Sequence, residues 1–215
     1  RYWAYAQAGD PAPLTDEAVR DYSALMSASQ PLVAGEILDA YPFQGHKRLL
    51  DVGGGEGRFV CSVGARYPNL ELMMFDLPAV AARAEQRIAE HGLTGRAKAF
   101  GGNFFKDELP KSADIVTLVR ILHDHDDEKA QLLLDNIRRA LPHNGCLLIA
   151  EPLAETPCAE RMGDAYFSLY LMAMRSGRPR SRETITAMLH RSGFGHVRPI
   201  RTRVPLQTSL LVAQT

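Results

Sequence analysis

Five stretches of this chain carry side chains suited to chemistry. The first is Leu49-Leu50-Asp51-Val52-Gly53-Gly54-Gly55-Glu56-Gly57, an apolar run with an acidic residue that opens into four glycines within five positions. Glycines there let a ligand approach the backbone, and a helix beginning near Arg58 aims its free N–H groups at that ligand. The second is Phe75-Asp76-Leu77-Pro78, with a carboxylate roughly 20 positions beyond the glycines, where doubly wound folds hold a ribose diol. Its plainer reading is the start of a turn. The third, Gly101-Gly102-Asn103-Phe104-Phe105, offers an amide and an aromatic ring to an adenine, or else only loop and core residues. The fourth is Arg120-Ile121-Leu122-His123-Asp124-His125-Asp126-Asp127, and the fifth ends in Glu151-Pro152.

Glycine spacing narrows the ligand. Gly53, Gly55 and Gly57 give G-x-G-x-G, and Arg58 stands where a dinucleotide fingerprint needs its third glycine. A phosphate-cradling Gly-Lys-Ser/Thr ending is absent as well. Asp51, two positions before the first glycine, would repel a pyrophosphate but can help to hold an ammonium group. A cofactor with a nucleoside, an amino-acid head and no phosphate fits best, and S-adenosylmethionine has that composition. The alternative is a glycine-rich tight turn that binds nothing.

Two histidines and three carboxylates in the fourth stretch invite a metal reading. They crowd one turn, however, whereas closed metal sites gather ligands from separate elements. A histidine at a strand end facing the cofactor is the better general base, because its pKa lies near neutrality. The neighbouring Asp124 is a candidate to orient the ring, and Asp126 reads as a helix cap.

These stretches need a scaffold that brings strand ends together. After the loop around Gly9–Pro13, Thr15 or Asp16 caps an expected helix to about Ser29, and Pro31 begins a second to about Ala40. Strands are expected at Arg48–Val52, Leu70–Phe75, Ala97–Phe100, Ile115–Val119 and Cys146–Glu151. Helices fall between them near Arg58–Arg66, Ala79–His91 and Asp127–Leu141. The continuous apolar runs suit a parallel sheet covered on both faces. Helices near Arg161–Met174 and Arg182–Arg191 precede Phe194–Ile200 and Leu206–Ala213, which read as an antiparallel pair closing the sheet. The expected fold is α/β, Rossmann-like and doubly wound, with a mostly parallel seven-stranded sheet.

Composition sets the remaining bounds. With 215 residues the chain can bury one α/β core, and 25 basic residues balance 25 acidic ones, so its charge does not argue for nucleic acid. Cys61, Cys146 and Cys158 form no C-x-x-C pair and read as thiols of a reducing, cytoplasmic compartment. No apolar run reaches the ~18–20 residues that span a bilayer. The chain opens on Arg1, with Tyr2, Trp3 and Tyr5 close by, and is expected to be a piece of a longer protein.

LLDVGGGEG, FDLP, GGNFF and RILHDHDD, in this order, resemble the S-adenosylmethionine-dependent O-methyltransferases of the plant type, from about Tyr22 to the end. The resemblance implies cofactor contacts from Asp51, Gly53, Gly55, Asp76, Leu77, Asn103, Phe104 and Arg120. It implies His123 as catalytic base and Glu151 as the carboxylate that orients it. Many members have Asp at the Asn103 position, where an amide can still accept a hydrogen bond. Arg120 matches the acetylserotonin type, and Val119 stands where plant members have lysine. The second orienting carboxylate of the plant enzymes falls on Pro179. The run Leu171–Arg180 is most similar to bacterial carotenoid O-methyltransferases acting on hydroxyneurosporene and demethylspheroidene, with bacteriochlorophyll-pathway and phenol methyltransferases as neighbouring alternatives. Such a substrate implies a lipophilic pocket, with Met26, Tyr166, Tyr170 and Met174 as candidate walls or, alternatively, ordinary core residues. It also implies transient contact with a membrane surface.

The resemblance divides the chain into a helical segment, 1–41, leading from an amino-terminal dimerisation domain, and a methyltransferase domain, 42–215. It implies a homodimer, no resident metal and no nucleic-acid partner. Readings from other classes are a nicotinamide-dependent dehydrogenase and a non-catalytic subunit that binds the cofactor.

Overall fold

Apolar residues of β1 (Arg48–Val52) point alternately to two separate cores, and that alternation organises the molecule. A computed structural model describes residues 30–156 and 177–215. The helices expected over 15–29 and 161–174 lie outside the described residues. Within them, residues 30–40 form α1, followed by β1, α2 (Arg58–Arg66), β2 (Glu71–Asp76), α3 (Pro78–Glu90) and β3 (Ala97–Gly101). Then come β4 (Ile115–Val119), α4 (Asp127–Ala140), β5 (Cys146–Glu151), α5 (Arg182–Arg191), β6 (His196–Ile200) and β7 (Ser209–Gln214).

The seven strands are ordered β3-β2-β1-β4-β5-β7-β6. The five central-to-left strands pair in parallel, and β7 runs antiparallel to both β5 and β6. Leu49 packs with Phe59, Val60 and Val63 of α2, Ala84 and Ile88 of α3, and Val33 and Ile37 of α1. Leu50 joins Leu133, Leu134 and Ile137 of α4 and Ile185, Met188 and Leu189 of α5. Strands β4 and β5 are buried at every position, as covered parallel strands must be. α1 is also tied at Glu36, whose carboxylate accepts from the Arg203 and Val204 amides and from Arg203 Nε.

Strand order reverses between β1 and its neighbours β2 and β4, which opens a crevice over their carboxyl ends. Two expectations shift near the end of the chain. β6 starts at His196 rather than Phe194, because Phe194 is buried and its amide closes the end of α5 on Leu189. β7 starts at Ser209 rather than Leu206, because the Gln207 and Thr208 amides both turn back to the Val204 carbonyl.

Candidate active site

The glycine loop leaves β1 in a left-handed conformation, with Gly53 at φ +72°. A Cβ at Gly53 would also lie 2.5 Å from Ile121 Cδ1, so the loop and the turn after β4 pack backbone against side chain. Gly53 N–H donates to the Phe75 carbonyl at 2.8 Å, which pins the loop to β2. Beneath it Asp51 is buried, and Thr117 Oγ1 donates to its Oδ1 at 2.6 Å. Its other oxygen, Oδ2, faces Gly54, 2.8 Å from where a side chain would begin. Burial pushes the Asp51 carboxyl up to about 7, and the charge of Asp76 adds to the effect.

Asp76 closes the next side of the crevice. Its Oδ2 accepts from Gly55 N–H at 2.8 Å and its Oδ1 from Leu77 N–H at 2.7 Å, so the carboxylate and the glycine loop are built as one piece. Burial pushes the Asp76 carboxyl up, against the lowering effect of those two amides. A carboxylate has about four lone-pair sites, so two remain for a diol. Asn103 is buried at the end of β3 and its Oδ1 accepts from Phe105 N–H at 2.9 Å. The amide oxygen offered by the sequence to an adenine therefore already holds the turn. Phe104 and Phe105 pack edge-to-face on each other and on His125.

β4 ends at Val119, and Arg120 adopts φ +62° while its N–H still bonds the Ala150 carbonyl at 2.8 Å. That left-handed step turns the chain into a 3₁₀ turn, Leu122–Asp124, carrying His123. Glu151, at the end of β5, meets the turn with both oxygens. Oε1 accepts from the Ile121 and Leu122 amides, each at 2.7 Å, and Oε2 accepts from His123 Nδ1. The other ring nitrogen, Nε2, lies 3.3 Å from Asp124 Oδ1. Burial alone pulls the His123 imidazole down, but the carboxylates of Glu151 and Asp124 outweigh it and hold the ring at about 8.

His125 behaves oppositely. Burial against the two phenylalanines pulls it down to about 4, so it stays neutral and acts as packing. Asp126 caps α4 by accepting from Lys129 N–H at 3.1 Å. Among the described residues no group of three or more His, Cys, Asp or Glu is placed to hold a metal. Arg120 is half-buried beside the His123 turn. Met26, Tyr166, Tyr170 and Met174 lie outside the described residues. Thr117, the partner of Asp51, was not singled out by the sequence, since a threonine within an apolar strand carries no signal of its own.

The carboxyl ends of β1, β2 and β4 thus offer a glycine turn for close backbone approach, two carboxylates and an imidazole oriented by Glu151. A family model described as an O-methyltransferase domain matches residues 11–195. Demethylspheroidene O-methyltransferase of Cereibacter sphaeroides is 45% identical over 199 residues, covering 92% of this chain and 52% of that protein. The enzyme of the same description from Rhodobacter capsulatus is 41% identical over 193 residues, covering 90% and 48%. The crystal structure of LaPhzM superposes with a TM-score of 0.83 at 30% identity, covering 92% of this chain and 58% of that one. The chain spans about half the length of the curated relatives it matches.

Proposed function

Because the chain belongs to the O-methyltransferase domain family, we propose that the whole protein is an S-adenosylmethionine-dependent O-methyltransferase acting on a hydroxyl of a lipophilic carotenoid. The substrate class rests on the demethylspheroidene relatives at 45% and 41% identity. One geometric observation carries the chemistry: His123 Nδ1 donates to Glu151, which leaves Nε2 as the basic nitrogen.

The residues present fit the cofactor. Gly53 would give close backbone approach, Asp76 would offer lone pairs to a ribose diol, and Asp51, once ionised above about 7, would add negative charge for a cationic head group. Asn103 and Phe104 would border the adenine, and Leu77, Gly55 and Arg120 would line the rim. When bound, S-adenosylmethionine supplies an electrophilic methyl group on its sulfonium sulfur.

The chain's own task is to position the acceptor oxygen and to take its proton on His123 Nε2. An aliphatic hydroxyl is far less acidic than a phenol of pKa ~10, so proton transfer must accompany attack. An imidazole held at about 8 by two carboxylates is a stronger base than a free one, and it must be neutral to act.

The proposal extends to a homodimer formed through amino-terminal helices, and to a cytoplasmic protein that touches a membrane surface to collect its substrate. Among the described residues no helix is long and apolar enough to cross a membrane. The decisive experiment compares pigments, by mass spectrometry, from cells with and without the full-length gene. Carotenoids gaining one methyl group only when the gene is present are the expected result. An unchanged carotenoid profile, or a methyl gain confined to chlorophyll precursors or phenols, overturns the substrate reading. A His123→Ala protein that still turns over would overturn the base.

A further inference from the structure

A second grip on the His123 turn comes from residues 177–180. The turn does not hold itself well: its two internal bonds, Asp124 N–H to Ile121 and His125 N–H to Leu122, are both 3.2 Å long. Arg180 is only 3% exposed, and a buried guanidinium is tolerated only when its donors are met. Its Nη1 donates to the Leu122 carbonyl at 2.7 Å and its Nη2 to the His125 carbonyl at 2.7 Å. Its Nε donates to Asp127 Oδ1 at 2.9 Å. The planar fork therefore brackets His123, one residue before and two after.

Gly177 closes the other edge. It sits at φ +82°, and a Cβ there would run into the His123 carbonyl oxygen and come within 2.7 Å of the Asp124 carbonyl carbon. Arg178 adds two bonds to the Asp127 carboxylate. The Arg180 carbonyl accepts Ala154 N–H at 3.0 Å, tying the strap to the chain that leaves β5 just after Glu151.

We propose that Gly177 and Arg180 are positioning residues for His123, fixing the backbone of residues 122–125 so that the imidazole stays seated on Glu151. For its effect on turnover the proposal rests on His123 as the base. Lysine cannot reproduce the grip, because a point charge on a flexible stem cannot span two carbonyls and a carboxylate.

The test uses the full-length protein with Arg180→Met, Arg180→Lys and Gly177→Ala. The His123 imidazole is titrated by NMR, its signal assigned by loss in His123→Ala, alongside kcat, KM and calorimetric cofactor affinity. In the parent protein the ring is expected to titrate near 8. In Arg180→Met and Gly177→Ala it moves toward the ordinary value near 6.5 as the ring leaves its carboxylates. There kcat falls roughly 10- to 100-fold while KM and cofactor affinity stay within about twofold, and Arg180→Lys lies between. A variant that melts at lower temperature but keeps the parental titration and kcat overturns the proposal. Should Arg180→Met not fold, Arg180→Lys and Gly177→Ala give the same two readouts. If His123→Ala retains turnover, the base reading falls by itself, and the imidazole titration still decides whether the strap seats the ring.

Discussion

Glu151 holds His123 through one carboxylate oxygen and the backbone leading into it through the other. Oε2 takes the Nδ1 proton while Oε1 receives the Ile121 and Leu122 amides. Ring tautomer and turn geometry are therefore set by one side chain on the rigid end of β5. A carboxylate used in this way has few lone pairs left for anything else. Asp124, by contrast, faces the other ring nitrogen, Nε2, at 3.3 Å, and its charge raises the basicity of the imidazole.

Glu151→Gln tests this arrangement. The glutamine carbonyl can still accept the two amides, but its NH₂ then faces Nδ1 and forces the ring proton onto Nε2. That is the wrong tautomer for a base, so turnover is expected to fall roughly 100-fold with cofactor affinity unchanged. Steady-state kinetics with calorimetry decides it. Near-parental kcat would show that the pairing does not govern the ring.

The pH dependence follows from the raised imidazole. A base must be neutral, so kcat/KM is expected to rise with pH and level off above about 8. Asp124→Asn removes one raising charge and should move that limb to lower pH. Stability runs the other way. The folded value lies above the ordinary 6.5, so the stabilisation is complete below 6.5 and disappears as pH rises through about 8. Melting temperature should therefore decline across that window, and His123→Asn should flatten this part of the decline. A pH-independent kcat/KM between 6 and 9 would remove His123 from the proton transfer.

Most of this site was legible because its signals are local. A glycine run after an apolar strand, an acid at the end of the next strand and an Asp before a helix each act within a few residues. Asp126 indeed caps α4, and Gly53 adopts the left-handed φ that a side chain resists. The His123–Glu151 pairing came from family resemblance, since sequence adjacency says nothing of a contact 28 residues away. Arg180 was invisible for the same reason, its partners lying 53 to 58 positions upstream. At Asn103 the residue stood out but its oxygen did not, although a side chain bonding the amide two residues on is a common Asn turn.

Asn103→Ala separates the two uses of that side chain. Loss of the Oδ1 bond to Phe105 N–H should cost about 1 kcal/mol of stability at the turn after β3. Cofactor affinity should drop as well if the adenine lies against the same turn. Asn103→Asp preserves the acceptor and is expected to retain both. Chemical denaturation and calorimetry on the pair distinguish them, and equal affinity in all three proteins would separate Asn103 from the cofactor.

Asp51→Asn should stabilise the protein and weaken it as a binder. Asp51 is buried, and its carboxyl is raised from about 3.8 to about 7, chiefly by burial. The folded state thus holds the proton more tightly than the unfolded chain, so ionising the group costs stability. That cost grows as pH rises above 3.8 and is complete above 7, on the order of 4 kcal/mol. Asparagine keeps an acceptor for Thr117 Oγ1 and carries no charge to bury. The variant should therefore melt higher than the parent at pH 8 and no higher at pH 4. Affinity for the cationic cofactor should fall roughly tenfold at pH 8, because the buried negative charge beneath the glycine loop is gone. Parental affinity in a stabilised variant would mean that the carboxylate is only a structural burden. Parental stability would mean that the Asp51 carboxyl titrates alike in the folded and unfolded chain, so that burial does not raise it.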